Sequence, residues 1–230
     1  MAKNKKTKAN AETSEPIALD VQLSKGEAFI EKNWKTVAAV IGAVIVVVLG
    51  TYLWRSHMSS QEAAAQNAIA AAQSAFAAQR YEQAINGDST GTAGFLKVID
   101  EYSGTKTANL AKLYAGISYD KLGKTDEAIK MLEGFDTQDD LMISPASMAA
   151  LGNLYIKAGN NDKGVQLLVK AAEKADNEAV SPAFLLQAGQ VYESMGQNDK
   201  AVELYNKVKK QYFQSPIANE IDKYIERATK

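Results

Sequence analysis

Side chains able to do chemistry are few in this 230-residue chain, and none falls in a pattern that a reaction requires. There is one histidine, His57, and no cysteine. A thiolate nucleophile, a disulfide framework and a cysteine-based zinc site are therefore excluded. His57 stands three residues past a long apolar run, and no neighbour in sequence completes a triad or a metal site around it, so it reads as an interfacial residue. The adjacent acids Asp100-Glu101 and Asp139-Asp140 would serve acid–base chemistry only if their carboxyls converged. Neighbours on a helix point apart, so both pairs are expected on solvated surface. The glycine cluster NGDSTGTAG at 86–94 lacks the lysine and the preceding strand of a phosphate-binding loop. No catalytic residue, metal, cofactor or small-molecule substrate is expected from these residues.

The charge balance excludes a further class. The formal net charge is −1, but residues 1–35 carry seven lysines against five acids, whereas residues from 56 onward carry 18 Lys and Arg against 22 Asp and Glu. The larger, acidic part lacks the clustered positive charge that phosphate backbones require, so no nucleic-acid partner is expected. Abundant alanine and only four prolines favour helix throughout, which makes the expected fold class all-α.

What could position such a chain is first a membrane. From Thr36 to Trp54 the sequence TVAAVIGAVIVVVLGTYLW holds nineteen positions without a charge. At about 1.5 Å per residue, such a run nearly matches a hydrocarbon core about 30 Å thick. Trp34, Tyr52 and Trp54 stand at its ends, with Lys32, Lys35 and Arg55 outside them, as at water–lipid boundaries. The run starts too late and lasts too long for a cleaved signal sequence, and no small-x-small cleavage site precedes Trp54. All seven N-terminal lysines precede it and only Arg55 follows it before Arg80, so the N-terminus is expected in the cytoplasm and the rest outside. The polar, lysine-rich stretch MAKNKKTKANAE is expected to be disordered. Residues 17–33, with Ile17, Leu19, Val21, Leu23, Phe29 and Ile30, read as a short surface segment leading into the membrane helix.

Beyond the membrane run the sequence repeats itself. The stretches 115–132, 151–168 and 188–205 share one frame: Gly116, Gly152 and Gly189; then Tyr119, Tyr155 and Tyr192; then Gly123, Gly159 and Gly196; then Ala128, Gly164 and Ala201. The steps are 36 and 37 residues, the length of a helical hairpin. The first glycine and the later small residue would let two antiparallel helices approach, the tyrosine would fill between them, and the second glycine would end the first helix. The polar residues that follow, Thr125 or Asp126, Asp162 and Asp199 among them, are suited to capping the next helix. Pro145, Pro182 and Pro216 suit helix starts. Upstream, Gln61–Gln79 reads as an alanine-rich helix, residues 80–94 as an inserted loop and residues 94–102 as a second helix, together a degenerate first repeat.

This frame resembles the tetratricopeptide repeat family over residues 105–212, with Leu132, Leu168 and Tyr205 at its large position and Ala171 and Val208 at its later small one. It departs from the pattern in lacking the bulky first-helix aromatic, in Gly164 where the family has alanine, and around Gly134 and Phe135. The resemblance implies a helical-hairpin solenoid whose glycines and tyrosines are packing elements. It also implies a binding face lined by first helices, with Asp120, Lys121, Asn153, Lys157, Gln190 and Glu193 outward. The lysines and asparagines with which some members clamp a partner's carboxylates have Leu113 and Ile117 in their place in the first clear repeat, so that mode is disfavoured.

The expected division is a cytoplasmic segment 1–33, a transmembrane helix 34–55 and an extracytoplasmic domain 56–230. Within that domain the repeats fall near 60–104 and over 105–141, 142–178 and 179–214, and a capping helix covers 216–229. This layout resembles the single-pass ancillary subunit of the bacterial SecYEG translocon. The resemblance implies the inner membrane as location, lipid around the anchor, and translocon subunits, exported polypeptides or periplasmic chaperones as protein partners. A scaffold for assembling other envelope complexes is the alternative; a membrane-anchored enzyme is the third class, and no residue pattern supports it.

Overall fold

The computed structural model describes residue 27 and residues 29–230. The lysine-rich stretch 1–12 and most of the segment 17–33 lie outside the described residues. Every regular element among the described residues is helical. The chain divides into two units, Met1–His57 and Met58–Lys230.

Helix α1, Trp34–Ala77, carries the apolar run. It is long and apolar enough to cross a membrane, and none of its most apolar window is buried. The aromatic residues at the ends of the run, Trp34, Tyr52 and Trp54, are exposed. Instead of a membrane helix ending at residue 55 and a second helix starting at Gln61, one helix of 44 residues covers both. The physical reason lies in RSHMSSQ at 55–61, which contains no glycine, no proline and no residue that must leave the helical region.

In the second unit, the residues of α1 from Met58 onward bury Ala65, Ile69, Ala72 and Ala75. They are followed by α2 (Tyr81–Asn86), α3 (Phe95–Glu101), α4 (Lys106–Lys121), α5 (Thr125–Glu133), α6 (Ile143–Lys157), α7 (Asn161–Ala175), α8 (Ser181–Ser194), α9 (Asn198–Gln211), a 3-10 turn (Ala218–Glu220) and α10 (Ile221–Thr229). Helices α4/α5, α6/α7 and α8/α9 form three hairpins, each packed on the next, with α10 against α9. Core clusters follow one another along this stack, from Ile69, Phe95 and Ala111 at one end to Leu185, Tyr205 and Ile221 at the other.

The turns inside the hairpins share one hydrogen-bond pattern. The amide of Lys124 donates to the Tyr119 carbonyl and that of Gly123 to Asp120. Asn160 and Gly159 donate likewise to Tyr155 and Ile156, and Gln197 and Gly196 to Tyr192 and Glu193. This arrangement needs one residue with positive φ, supplied by Gly123 (+76°), Gly159 (+83°) and Gly196 (+70°). A fourth copy closes α1, where Arg80 donates to Ala75 and Gln79 to Phe76, and the left-handed residue is Gln79 at φ 58°.

That fourth turn corrects the reading of residues 80–94 as a loop: residues 81–86 are the start of the partner helix, and only 87–94 interrupt it before it resumes as α3. The interruption is organised around Asp88. Its Oδ1 accepts from the Thr90 hydroxyl at 2.6 Å and from the amides of Thr90 and Thr92 at 3.0 and 3.1 Å. These bonds, the Thr90 hydroxyl foremost, hold the carboxyl down at about 2.

Two further expectations are corrected. Asp126, Asp162 and Asp199 lie inside the first turns of α5, α7 and α9, where their charge complements the helix dipole, and do not cap. Of the three helices, only α7 is capped by a side chain, Asn160, which accepts from the Lys163 amide. Pro216 lies in a turn ahead of the 3-10 segment, five residues before α10, and so opens no helix; Pro145 and Pro182 are buried in the first turns of α6 and α8. Helix α5 spans only nine residues because Gly134 ends it, and Phe135 then turns into the core among Leu113, Leu132 and Leu154.

Candidate functional site

The repeat glycines set the spacing of the hairpins. A Cβ on Gly116 would stand 2.7 Å from Leu132 Cγ, and one on Gly152 would stand 2.8 Å from the Gly164 carbonyl oxygen. One on Gly164 would stand 2.6 Å from the Gly152 oxygen, and one on Gly189 would meet the Tyr205 ring. Ala128 and Ala201 are fully buried, Ala128 with its carbonyl beside Gly116. Tyr155 is buried and donates its hydroxyl to Glu133, with Lys163 over its ring at 3.8 Å, whereas Tyr119 and Tyr192 are half-buried.

Four of the six outward residues of the first helices form rungs between successive repeats. Lys157 Nζ donates to Asp120 at 2.8 Å, joining α4 to α6, and Gln187 Nε2 donates to Asn153 at 2.6 Å, joining α6 to α8. Glu193 accepts from the Tyr205 hydroxyl at 2.8 Å and is clasped by Arg227, joining α8 to α10. Arg227 above all holds Glu193 below its ordinary pKa, while burial and then the Glu193 bond push Tyr205 up. Lys121 and Gln190 are exposed beside these rungs. A parallel set, Glu82–Lys124, Glu133–Lys163 and Glu173–Lys207, links the second helices. Exposed pairs of this kind are screened by solvent and contribute little to stability. Four of the six residues picked from the sequence thus also hold the repeats in register.

A concavity lies elsewhere. A groove of about 590 Å³ opens at the N-terminal ends of α4 and α6, lined by Glu62, Lys106, Leu110, Phe135, Asp140 and Ile143 among others. It is about 20 Å along α4 from Asp120. Two carboxylates define it. Glu62, on α1, accepts from the Lys106 amide at 2.7 Å and from the Thr107 hydroxyl at 2.6 Å, so it satisfies the first amides of α4 from 44 residues away. Asp140 accepts from the amides of Met142, Ile143 and Ser144 at 3.0, 2.6 and 3.0 Å and so serves the start of α6. The expectation that Asp139-Asp140 is simply solvated surface is therefore corrected for Asp140, while Asp139 is exposed. Nothing local marks Glu62, because its partner is distant in sequence. Asp140 carried a signal, an acid shortly before a helix with proline in its first turn.

Among the described residues, no group of three or more His, Cys, Asp or Glu could hold a metal ion. The frame and the geometry agree with a family model. The tetratricopeptide repeat-like domain matches residues 27–221. The chain belongs to that family. Solved structures agree in fold. The crystal structure of the MamA protein has a TM-score of 0.50 at 18% identity, covering 71% of this chain and 89% of that one. A Podosopora anserina protein with nearly identical TPR-like repeats also has 0.50 at 18% identity, covering 75% and 85%. No curated protein matches the sequence significantly.

Tetratricopeptide-like repeats stack helix pairs to present side chains to protein partners, which suits a scaffold better than a catalyst. The groove's carboxylates also give the domain an acid-sensitive element. Partial burial raises the pKa of Glu62 and of Asp140, but the bonds they accept outweigh it and both are lowered. A carboxyl lowered on folding contributes stability that is complete above its unfolded value, about 4, and is lost as pH falls through its folded value. Glu62→Gln and Asp140→Asn should each cost about 1 kcal/mol at pH 7. In urea unfolding of the full chain in detergent, the gap from wild type should narrow below about pH 4. A gap as wide at pH 3 as at pH 7 would contradict the capping role.

Proposed function

We propose that this protein is a single-pass membrane-anchored scaffold of the bacterial cell envelope, with its N-terminus in the cytoplasm and its repeats in the periplasm. Beside the translocon it would receive exported polypeptides or pass them to periplasmic chaperones. The observation that carries this reading is the unburied apolar stretch of α1, fenced by Trp34 and Trp54. Lipid is the environment in which such a surface is not a liability. The orientation rests on the lysines, all of which lie on the N-terminal side of the run until Lys97.

Because the chain has no cysteine, single cysteines report topology without background. In spheroplasts, Ser89→Cys should react with a membrane-impermeant maleimide, and Ala9→Cys should react only after the membrane is opened. The reverse pattern would overturn the orientation. Affinity purification of the tagged full chain in mild detergent should recover translocon subunits; recovery of other envelope complexes alone would assign it to their assembly instead.

A further inference from the structure

We propose that the groove at the starts of α4 and α6 docks an extended polypeptide segment that presents a bulky apolar side chain beside lysine or arginine. The proposal rests on the scaffold reading and specifies the chemistry of the partner.

An apolar lip borders the groove. In Met58–Lys230 the exposed large hydrophobic side chains are Leu141 (59%), Met142 (61%), Ile143 (44%) and, apart from them, Phe213. Three consecutive side chains of this kind, two on the loop and one at the start of α6, are costly to leave in water, at about 25 cal/mol per Å² of apolar surface. Ile143 lines the groove itself, and Leu110 and the buried Phe135 continue the apolar lining inward. A hollow of this size suits one or two side chains of a ligand with its backbone.

The charged half decides which segment. Three carboxylates, Glu62, Asp139 and Asp140, line the groove against one ammonium, Lys106. Glu62 and Asp140 accept from neutral amides and hydroxyls, which orient the carboxylates without cancelling their charge. The two helix N-termini that open into the groove are the natural places for a ligand carboxylate. Both are already filled by the chain's own side chains. An acidic segment or a C-terminal carboxylate therefore meets occupied donors and like charge, whereas a basic side chain next to the apolar one finds complementary charge at the rim.

The test uses the full chain in detergent micelles and a short fluorescein-labelled peptide carrying Leu and Phe between lysines, read by anisotropy. Saturable binding is expected. It should weaken about tenfold when glutamates replace the lysines, about tenfold when alanines replace Leu and Phe, and markedly with added salt, since the Debye length is about 8 Å at physiological ionic strength. Asp139→Lys should weaken it about three- to tenfold, and Leu141→Ser combined with Met142→Ser about tenfold. All three positions are exposed, so the unfolding midpoint should stay unchanged and the losses can be read as docking. Equal binding of the glutamate peptide, or no effect of Asp139→Lys, would overturn the proposal. So would recruitment of the chain, without peptide, to bicelles of anionic lipid that the double serine variant abolishes, which would assign the lip to a membrane surface. Self-association abolished by the double serine variant would assign the lip to a second copy and overturn it equally. Failure here with the labelling pattern of Ser89→Cys intact would remove the docking site alone, whereas an inverted labelling pattern would remove the envelope reading alone.

Discussion

Phe95→Ala should destabilise the repeat domain by about 3–5 kcal/mol, the range for emptying a large aromatic from a packed core. Phe95 is fully buried; its ring stacks on Tyr114 at 5.4 Å between centroids, and the edge of Phe76 stands at 6.3 Å. It is the first residue of α3, a helix of seven residues, far too short to persist without tertiary contacts. The eight residues ahead of it break the second helix of the first repeat, so Phe95 and Val98 return the displaced half to the core of Ile69, Ala72 and Ala111. Urea unfolding of the full chain in detergent measures the loss. Hydrogen exchange should show amides 95–101 losing protection before those of α6–α9. Phe95→Leu should cost much less because it leaves a smaller cavity. A loss below about 1 kcal/mol for the alanine variant would mean that α3 is not anchored by this ring.

Gly164→Ala should also destabilise, by about 1–2 kcal/mol, although the sequence pattern argues the opposite. The equivalent positions in the neighbouring repeats are Ala128 and Ala201, and alanine is the better helix former by about 0.5–1 kcal/mol. The difference is local. In the α6/α7 hairpin a new methyl would stand 2.6 Å from the Gly152 carbonyl oxygen and would also strike Ile156. The isoleucine can rotate away, but the backbone oxygen cannot, so the helices must separate, at the cost of about 1–3 kcal/mol typical of overpacking. Gly196→Ala provides a comparison without crowding: no atom lies within 4 Å of its Cβ position, and only the strain of φ +70° is added. A rise in midpoint for Gly164→Ala would show that the pattern of the repeat outweighs the contact.

These two sites mark the division between what the chain states openly and what folding adds. The three hairpins could be read from Gly116, Tyr119, Gly123 and their counterparts, because a small residue at a helix crossing and a left-handed residue at a helix end are constraints local to each 36- or 37-residue unit. The apolar run was equally plain, since its signal lies in nineteen consecutive residues. The first repeat was less legible: Gln79 occupies the left-handed place without the glycine that would have announced it, and the insertion at 87–94 hides the second helix.

Of the groove only Asp140 was legible, since it serves amides two to four residues on; the other cap and the rungs between repeats were not, for one physical reason. Glu62 meets Lys106 and Thr107 across 44 and 45 residues, and the pairs Asp120–Lys157 and Glu193–Arg227 span 37 and 34. Sequence alone determined the helices, their repeat and the apolar span, which depend on neighbours one to four residues apart. Tertiary structure alone decided that Glu62 serves the start of α4, which charges pair between repeats and where the surface is hollow, because those depend on how one element is stacked upon the next.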